Sequence, residues 1–307
     1  MKKLIKTNIS VMCAICLIVC MVGGFASAET SAVNTEAEES AGGTSAETPT
    51  GGNNDAAANS TIPMYLNGIK MTDGIVVEDT AYIPLRAFFN VIGNQTNITW
   101  NDDTNTATVT GKDFELTATT GNNYFKINDR FFYLPHGALI IDGALSLPVR
   151  ELAKVFSAIV EWDGETSSVN ICADNITVIA DAKNYYNEQD LYWLSHLINA
   201  ESGNQPLDGK IGVGNVVLNR VADPSCPDTI YDVIFDSKYG VQFSVTTTGG
   251  IYAEPNEESV IAAKICLEGY NIVGNSIYFV NPQVGVSSWF AKTRVFVATI
   301  GQHDFYA

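Results

Sequence analysis

NEQDLYWLSHLINAESGNQPLDGKIGVGNVVLNRV, residues 187–221, reads as two helices joined by a short turn. Asn187 can cap the first, with Asp190 three residues on. Leu191, Leu194 and Ile198 recur at three- and four-residue spacing, and Gly203 is placed to end the helix. Glu201 falls on that same apolar stripe, in the last turn. Burying a carboxylate without a partner disfavours its charged form, and so does the negative end of a helix dipole. Both effects raise the pKa, as a general acid near neutral pH requires. Position alone equally allows a glutamate whose tip reaches solvent.

The second helix, GKIGVGNVVLNRV after a possible Asp208 cap, is too densely apolar to be exposed. Gly212 and Gly214 are expected to permit close helix contact. DTIYDVIFD, opened by Asp228, and EESVIAAKICLEG, opened by Asn256 and ended by Gly269, predict two more helices. Short aromatic and β-branched runs, VQFSVTTTGGIY, SIYFVNP and TRVFVATIG, fill the rest. Residues 184–307 are expected to form one mainly helical α+β domain with a small β element.

Upstream, the chain repeats itself. AYIPLRAFFNVIGNQTNITWNDDTNTATVT (81–110) and LSLPVRELAKVFSAIVEWDGETSSVNI (145–171) each give apolar-Pro-apolar-Arg, a short helix, a strand ending in Trp, a polar turn and another strand. Pro84 and Pro148 suit the first helical turn. Trp100 and Trp162 precede acidic hairpin turns. Arg86 and Arg150 are expected to pair with acids of their own copy. Residues 61–175 thus predict a β-rich repeat domain.

The start, MKKLIK followed by VMCAICLIV and Ala26-Ser27-Ala28, reads as a secretory signal peptide over 1–28. Residues 29–60 carry six acids and no Lys or Arg, a composition suited to a disordered linker. No segment beyond the signal is long and apolar enough for a membrane span. The net charge is −17, about −20 without the signal lysines. That disfavours nucleic acid and anionic lipid as partners. Cys172, Cys226 and Cys266 remain after the signal, an odd count that is no disulfide framework; at most one bridge can form, with Cys226–Cys266 the best pairing, and the alternative is that they are small apolar core residues. Three histidines, His136, His196 and His303, lie in different regions, so neither a metal nor another cofactor is expected.

Four clusters mix aromatic planes with amides and hydroxyls, the composition of a sugar-binding cleft. They contain Glu201; Gln242 and Ser244; Tyr278, Asn281 and Trp289; and His303 and Tyr306. Phe243, Phe279 and Phe305 are expected in the core, whereas Tyr278, Trp289 and Tyr306 fit either core or cleft. Glycoside cleavage usually needs two carboxylates. Asp208, Asp228, Glu257, Glu258 and Glu268 fall at helix starts or on expected exposed faces, and only Asp304 joins an aromatic cluster. A single acid/base suffices where the substrate supplies the nucleophile.

Two resemblances follow from these motifs. Residues 61–175, through the paired Pro-x-Arg and Trp-acid motifs, resemble the stalk-type module named for the N-terminal domain of copper amine oxidases, here a spacer or wall-adhesion module without copper. ESGNQPLDGKIGVGNVVLNRV, CPDTIYDVIFDSKYGVQFS, LEGYNIVGNSIYFVNP and SSWFAKTRVFVATIGQHDFY resemble the catalytic domain of the SleB/CwlJ-type cell wall hydrolases, which include the spore-cortex-lytic enzymes. That resemblance implies a lysozyme-like fold, cleavage of peptidoglycan between N-acetylmuramic acid and N-acetylglucosamine, and Glu201 as catalytic acid. It implies a lytic transglycosylase in which Glu201 protonates the leaving oxygen and then deprotonates the muramyl C6 hydroxyl. Gln242, Tyr278 and Asn281 are candidates for holding N-acetyl groups or stabilising charge. It also implies export to the wall or spore of a Gram-positive bacterium, and a monomer is expected. Two rival readings are a cysteine peptidase or amidase using Cys226 with His303, and a non-catalytic wall-binding protein.

Overall fold

A computed structural model describes residues 60–92, 96–174, 176–283 and 288–307; Ser288, Trp289 and Ala291 are described in backbone only. The expected signal peptide, nearly all of the expected linker and the Trp289 side chain lie outside the described residues. The fold is α+β, with a β-rich half followed by a mainly helical half.

The β-rich half is built twice. Ile75, Val76 and Val77 pair with Tyr82, Ala81 and Thr80, and Leu139, Ile140 and Ile141 pair with Ser146, Leu145 and Ala144 in the same register, 64 residues on. The two copies meet where Thr80–Pro84 and Ala144–Pro148 run antiparallel, with Ile83 opposite Leu147 and Pro84 opposite Ser146 while Tyr82 opposes Pro148. Shifting each partner by 64 residues returns the same pairs, so a pseudo-two-fold axis passes between these strands. They form the centre of a five-stranded sheet whose order is 60–62, 74–77, 80–84, 144–148, 139–141. Helix α1 (Leu85–Ile92) follows one prolyl strand end and α2 (Val149–Lys154) the other. The Trp hairpins repeat as well: Trp100 pairs with Ala107, and Trp162 with Val169. The first hairpin joins a five-stranded sheet, 130–133, 124–127, 115–119, 106–110, 97–101, and the second a four-stranded one, 159–163, 168–172, 64–66, 69–70.

Tight hairpins at Asn67-Gly68, Glu78-Asp79, Asn128-Asp129 and Asp142-Gly143 place both central residues at positive φ, which matches the right-handed twist of the flanking strands. Inside, Phe88, Phe89, Phe114 and Phe156 form a ring cluster with centroids 5.6–5.8 Å apart. Among the described residues neither Arg86 nor Arg150 forms a direct salt bridge, although Arg150 acts electrostatically on Glu151 of its own copy. Arg150 Nη1 donates to the Val160 carbonyl at 3.3 Å, and both side chains are exposed, where an ion pair adds little.

The helical half packs α3 (Glu188–Ser202), α4 (Leu207–Ala222) and α7 (Glu257–Leu267) against one another. A Cβ on Gly212 would lie 2.6 Å from Phe305 Cζ, and one on Gly214 2.6 Å from Cys266 Sγ. Gly214 thus permits the close approach of α4 and α7, as expected, whereas Gly212 admits the ring of Phe305 from the strand 303–306 instead of a helix. Asp208 and Asp228 do not cap: Pro206 holds the cap position of α4, and Thr229 caps α5 (Ile230–Ile234), its hydroxyl accepting from Asp232 N. A three-stranded sheet, 278–280, 303–306, 296–300, closes the half. Helices α6 (Val245–Thr248) and α8 (Ser288–Thr293) are short. Among the described residues no helix is long and apolar enough to cross a membrane.

The described residues belong to one compact unit. The strand Arg130–Tyr133 is buried on both faces: Phe132 enters the β-rich core, while Phe131 and Tyr133 enter the helical core. Beside them Arg130 donates from Nε and Nη2 to the two Glu268 oxygens at 2.7 and 2.6 Å, and Tyr186 donates to the same carboxylate at 2.5 Å. Lys264 reaches Asp129 at 2.5 Å, and the Tyr133 hydroxyl donates to Asp208 at 2.9 Å. The repeat half is therefore fused to the helical half. Glu268, expected on an exposed face, is the buried acceptor of that joint.

Candidate active site

Asn187 caps α3 as its sequence suggests, its Oδ1 accepting from Gln189 N and Asp190 N at 2.9 and 3.2 Å. The helix buries Leu194, Leu197 and Ile198 and delivers Glu201 one turn later. Its end is pinned to the start of α7. Asn199 Oδ1 accepts from Asn256 N at 3.1 Å, and Asn256 Nδ2 donates to the Gly203 carbonyl at 3.0 Å. The following turn is pinned to the last hairpin: Gln205 Oε1 accepts from Gln302 N at 2.9 Å, and Gln205 Nε2 donates to Gln302 Oε1 at 3.1 Å. Lys210 is buried beneath, donating to the Gln205 carbonyl at 2.5 Å and pairing with Glu258.

Glu201 is half-buried on this clamped helix end. Its carboxylate makes no hydrogen bond or ion pair among the described residues, and burial alone pushes its pKa above the usual carboxylate range. It is held rigidly by backbone neighbours yet left without a counter-charge, so its proton is available for transfer.

A cleft of about 710 Å³ lies on the same half, lined by Arg220, Cys226, Asp236, Gln242 and Tyr278 among others. Arg220, from the last turn of α4, is the residue that sequence reasoning passed over. Its Nε donates to the Ile277 carbonyl at 2.7 Å, and Nη1 reaches Gln242 Oε1 at 3.4 Å. The guanidinium lies 5.2 Å from the Phe243 ring centroid and 5.6 Å from that of Tyr278. Burial pulls its pKa down, opposed by Cys226, Tyr278 and Asp236. An arginine interrupting an apolar helix was the available signal. On the other side Arg294 sits 4.7 Å from the Tyr278 ring and donates to its hydroxyl at 3.4 Å. Tyr278 thus stands between two guanidinium groups.

The remaining predicted residues are spread out. Gln242 and Tyr278 share the cleft, which Glu201 does not line. Ser244 is exposed at the start of α6 without a capping bond. Asn281 Oδ1 accepts from Gln283 N at 2.9 Å in a turn. His303 and Tyr306 are buried in the closing sheet, which departs from their expected substrate contact. The His303 ring lies edge-on to Phe279 at 5.2 Å, and burial lowers its pKa. Tyr306 packs edge-on against Phe290 and Phe296. His303 lies on the strand face of Phe305 and Tyr306 on the opposite face with Asp304, so each is covered by different neighbours: His303 by Phe279, Tyr306 by Phe290 and Phe296. Phe243 and Phe305 are buried as expected, and Phe279 is partly so.

The expectation of a Cys226–Cys266 bridge is corrected. Cys266 is buried between α7 and α4, its thiol donating to the Ile211 carbonyl at 3.4 Å and its pKa raised by burial. Cys226 lines the cleft, and both are free. Among the described residues no hydrogen bond joins Cys226 to His303, and no three His, Cys, Asp or Glu side chains converge on a metal position.

Comparison with known proteins agrees with this division. The cell wall hydrolase family matches residues 204–306, and the copper amine oxidase N-terminal domain matches residues 65–171. Glu201 stands three residues ahead of the first segment. A spore cortex-lytic enzyme of Bacillus cereus is 34% identical over 122 residues, 40% of this chain and 46% of that one. Its counterpart in Oceanobacillus iheyensis is 31% identical over 120 residues, 39% of this chain and 42% of that one. This chain therefore spans less than half the length of these relatives. Among solved structures, the catalytic domain of the germination-specific lytic transglycosylase SleB from Bacillus anthracis is 33% identical, with 40% of this chain and 98% of that one covered at a TM-score of 0.37. The chain carries a cell wall hydrolase domain over residues 204–306 and, ahead of it, a copper amine oxidase N-terminal domain over residues 65–171.

Proposed function

We propose that the protein cleaves peptidoglycan glycan strands as a lytic transglycosylase with Glu201 as the single acid/base. The observation that carries this reading is the carboxylate of Glu201, half-buried, unpaired and raised in pKa by burial, on a helix end clamped from two sides. Protonated Glu201 gives its proton to the glycosidic oxygen between N-acetylmuramic acid and N-acetylglucosamine. The resulting carboxylate takes the proton of the muramyl C6 hydroxyl, whose oxygen closes onto C1 as a 1,6-anhydro product. Because the substrate supplies the nucleophile, no second carboxylate is needed, in contrast to glycosidases that use two.

The cleft around Arg220, Gln242 and Tyr278 supports a role in holding the polymer. Gln242 offers an amide to acetamido groups, and Arg220 and Arg294 flank a tyrosine that a carboxylate of the stem peptide can approach. The relatives' names, spore cortex-lytic enzyme, favour a wall or spore substrate and an exported protein. The thiol reading loses support because Cys226 and His303 are not hydrogen-bonded. Digestion of vegetative sacculi and of spore cortex, followed by mass spectrometry of the soluble products, tests the proposal. Anhydro-muramyl ends are expected; reducing muramic ends would make it a hydrolase, and new amino termini would make it a peptidase.

A further inference from the structure

The repeat half carries two grooves that its pseudo-two-fold axis relates. One, of about 410 Å³, lies between Val149, Arg150, Val160 and Trp162 and the turn Asp79–Ala81. The other, of about 230 Å³, lies between Leu85, Arg86, Ile98 and Trp100 and the turn Gly143–Leu145. Each takes its helix and Trp strand from one copy and its turn from the other, as the swap of sheet partners dictates. Two pockets found at equivalent places in the two copies are thus one site, built twice.

The copies share the proline that ends each central strand, Pro84 and Pro148, and the arginine and tryptophan of each groove. The aliphatic positions differ, Leu85 against Val149 and Ile98 against Val160, and so do the exposed Thr99 and Glu161 and the exposed Gly143 and Asp79. Trp100 is 43% and Trp162 55% exposed, and Arg86 and Arg150 are exposed beside them. An exposed tryptophan contributes little to a core. Arg86 makes no hydrogen bond or ion pair among the described residues, and Arg150 makes one hydrogen bond, to Val160 O. Trp100 Nε1 donates to Asp102 at 2.8 Å within its hairpin, and the larger groove also carries Asp79, Glu151 and Glu161, with Glu151 in electrostatic contact with Arg150. Core packing explains the aliphatic positions; it does not explain an exposed indole beside an exposed guanidinium in both copies.

We propose that the two grooves are a paired binding site for the peptidoglycan strand, each taking one sugar ring with a nearby carboxylate. The indole faces the apolar side of the ring, and the guanidinium meets a carboxylate of the attached peptide. Asp79, Glu151 and Glu161 line the larger groove beside Arg150, whereas among the described residues no acid lines the smaller one, so Arg86 is the stronger point of attraction for a carboxylate. Two equivalent sites suit a ligand that repeats along its length, because the second contact is made at high effective concentration. The choice of polymer rests on the proposed function of the helical half.

The test uses the full chain with Glu201→Gln, so that bound polymer is not cut. Co-sedimentation with purified sacculi, stripped of wall-linked anionic polymers, is measured for this protein and for the same protein carrying Trp100→Ala and Trp162→Ala. Both tryptophans are exposed, and unchanged circular dichroism reports an intact fold. The double change is expected to weaken binding about tenfold or more, and each single change less, as loss of avidity requires. Arg86→Gln with Arg150→Gln should weaken binding most at low salt. Sedimentation of the double tryptophan variant equal to its parent overturns the proposal. So does binding that appears only when the anionic polymers are left on the sacculi. Lysis by the unmodified protein is followed in parallel. Tryptophan-dependent binding without lysis would overturn the catalytic reading and keep this one; lysis with tryptophan-independent binding would do the reverse.

Discussion

Removing the carboxylate of Glu268 should unfold the two halves together rather than loosen one of them. The Arg130 and Glu268 side chains are 7% and 3% exposed, so neither can turn to water. Glu268→Ala deletes two guanidinium hydrogen bonds and the one from Tyr186, and leaves a buried cation with the Ala180 carbonyl at 3.3 Å and the Tyr185 and Phe132 rings at 3.5 and 5.8 Å. Breaking a buried pair in this way costs about 3–5 kcal/mol, a large part of the ~5–15 kcal/mol that folded domains possess. For a unit of this size that is roughly 10 °C in Tm. Arg130→Met combined with Glu268→Leu removes both charges and should recover most of the loss, since well-packed apolar pairs replace buried ion pairs at little net cost. Differential scanning calorimetry is the assay. The wild type should show one transition, displaced downward as a whole in Glu268→Ala. Two separate transitions in the wild type, or a single mutant within about 1 kcal/mol of it, would refute the fused joint.

Other outcomes follow from the same geometry. Gly212→Ala and Gly214→Ala place a methyl against Phe305 and Cys266, and urea melts should show each losing about 1–3 kcal/mol through overpacking. Cys226→Ser should lyse sacculi within about twofold of wild type, whereas a loss of about a hundredfold or more would restore the thiol mechanism. Glu201→Gln should stabilise the protein near neutral pH. The folded-state pKa of Glu201 is raised, so the stability linked to its proton is fully present below the ordinary value of 4.5 and is lost as pH rises through the folded pKa. The Tm difference between Gln and Glu should therefore be small near pH 4 and grow toward pH 7, because each tenfold difference in proton affinity between folded and unfolded chain is worth about 1.4 kcal/mol. The same titration predicts that lysis falls on the alkaline side as the acid loses its proton.

Much of this was written plainly in the sequence. The repeat motifs gave both helices and both Trp hairpins because Pro, Gly-type turns and β-branched strands act locally. Asn187 and Asn256 declared their helix starts through short-range side-chain bonds. Glu201 was legible because periodicity places it on a buried face without any knowledge of its neighbours. What escaped depends on partners distant in the chain. Arg130 and Glu268 are 138 residues apart, and nothing in either local sequence announces the pair. Arg220 is recognised only once Gln242 and Tyr278 are beside it. His303 and Tyr306 looked available because aromatic clusters are ambiguous between cleft and core, and each proved to be covered on its own face of the strand, by Phe279 and by Phe290 with Phe296. Of the two readings open for the cysteines, a Cys226–Cys266 bridge and small apolar core residues, Cys266 takes the second, because its burial between two helices is a tertiary fact.

The most direct test of the central claim is lysis of purified sacculi by Glu201→Gln, followed as loss of turbidity, with folding of the variant checked by its melting curve. The amide keeps the shape of the side chain and removes its exchangeable acid proton. The account predicts a correctly folded, more thermostable protein whose lysis is reduced by about a thousandfold or more, on the order expected when a reaction loses its acid and its base together. A folded Glu201→Gln protein that lyses sacculi at near the wild-type rate would contradict it.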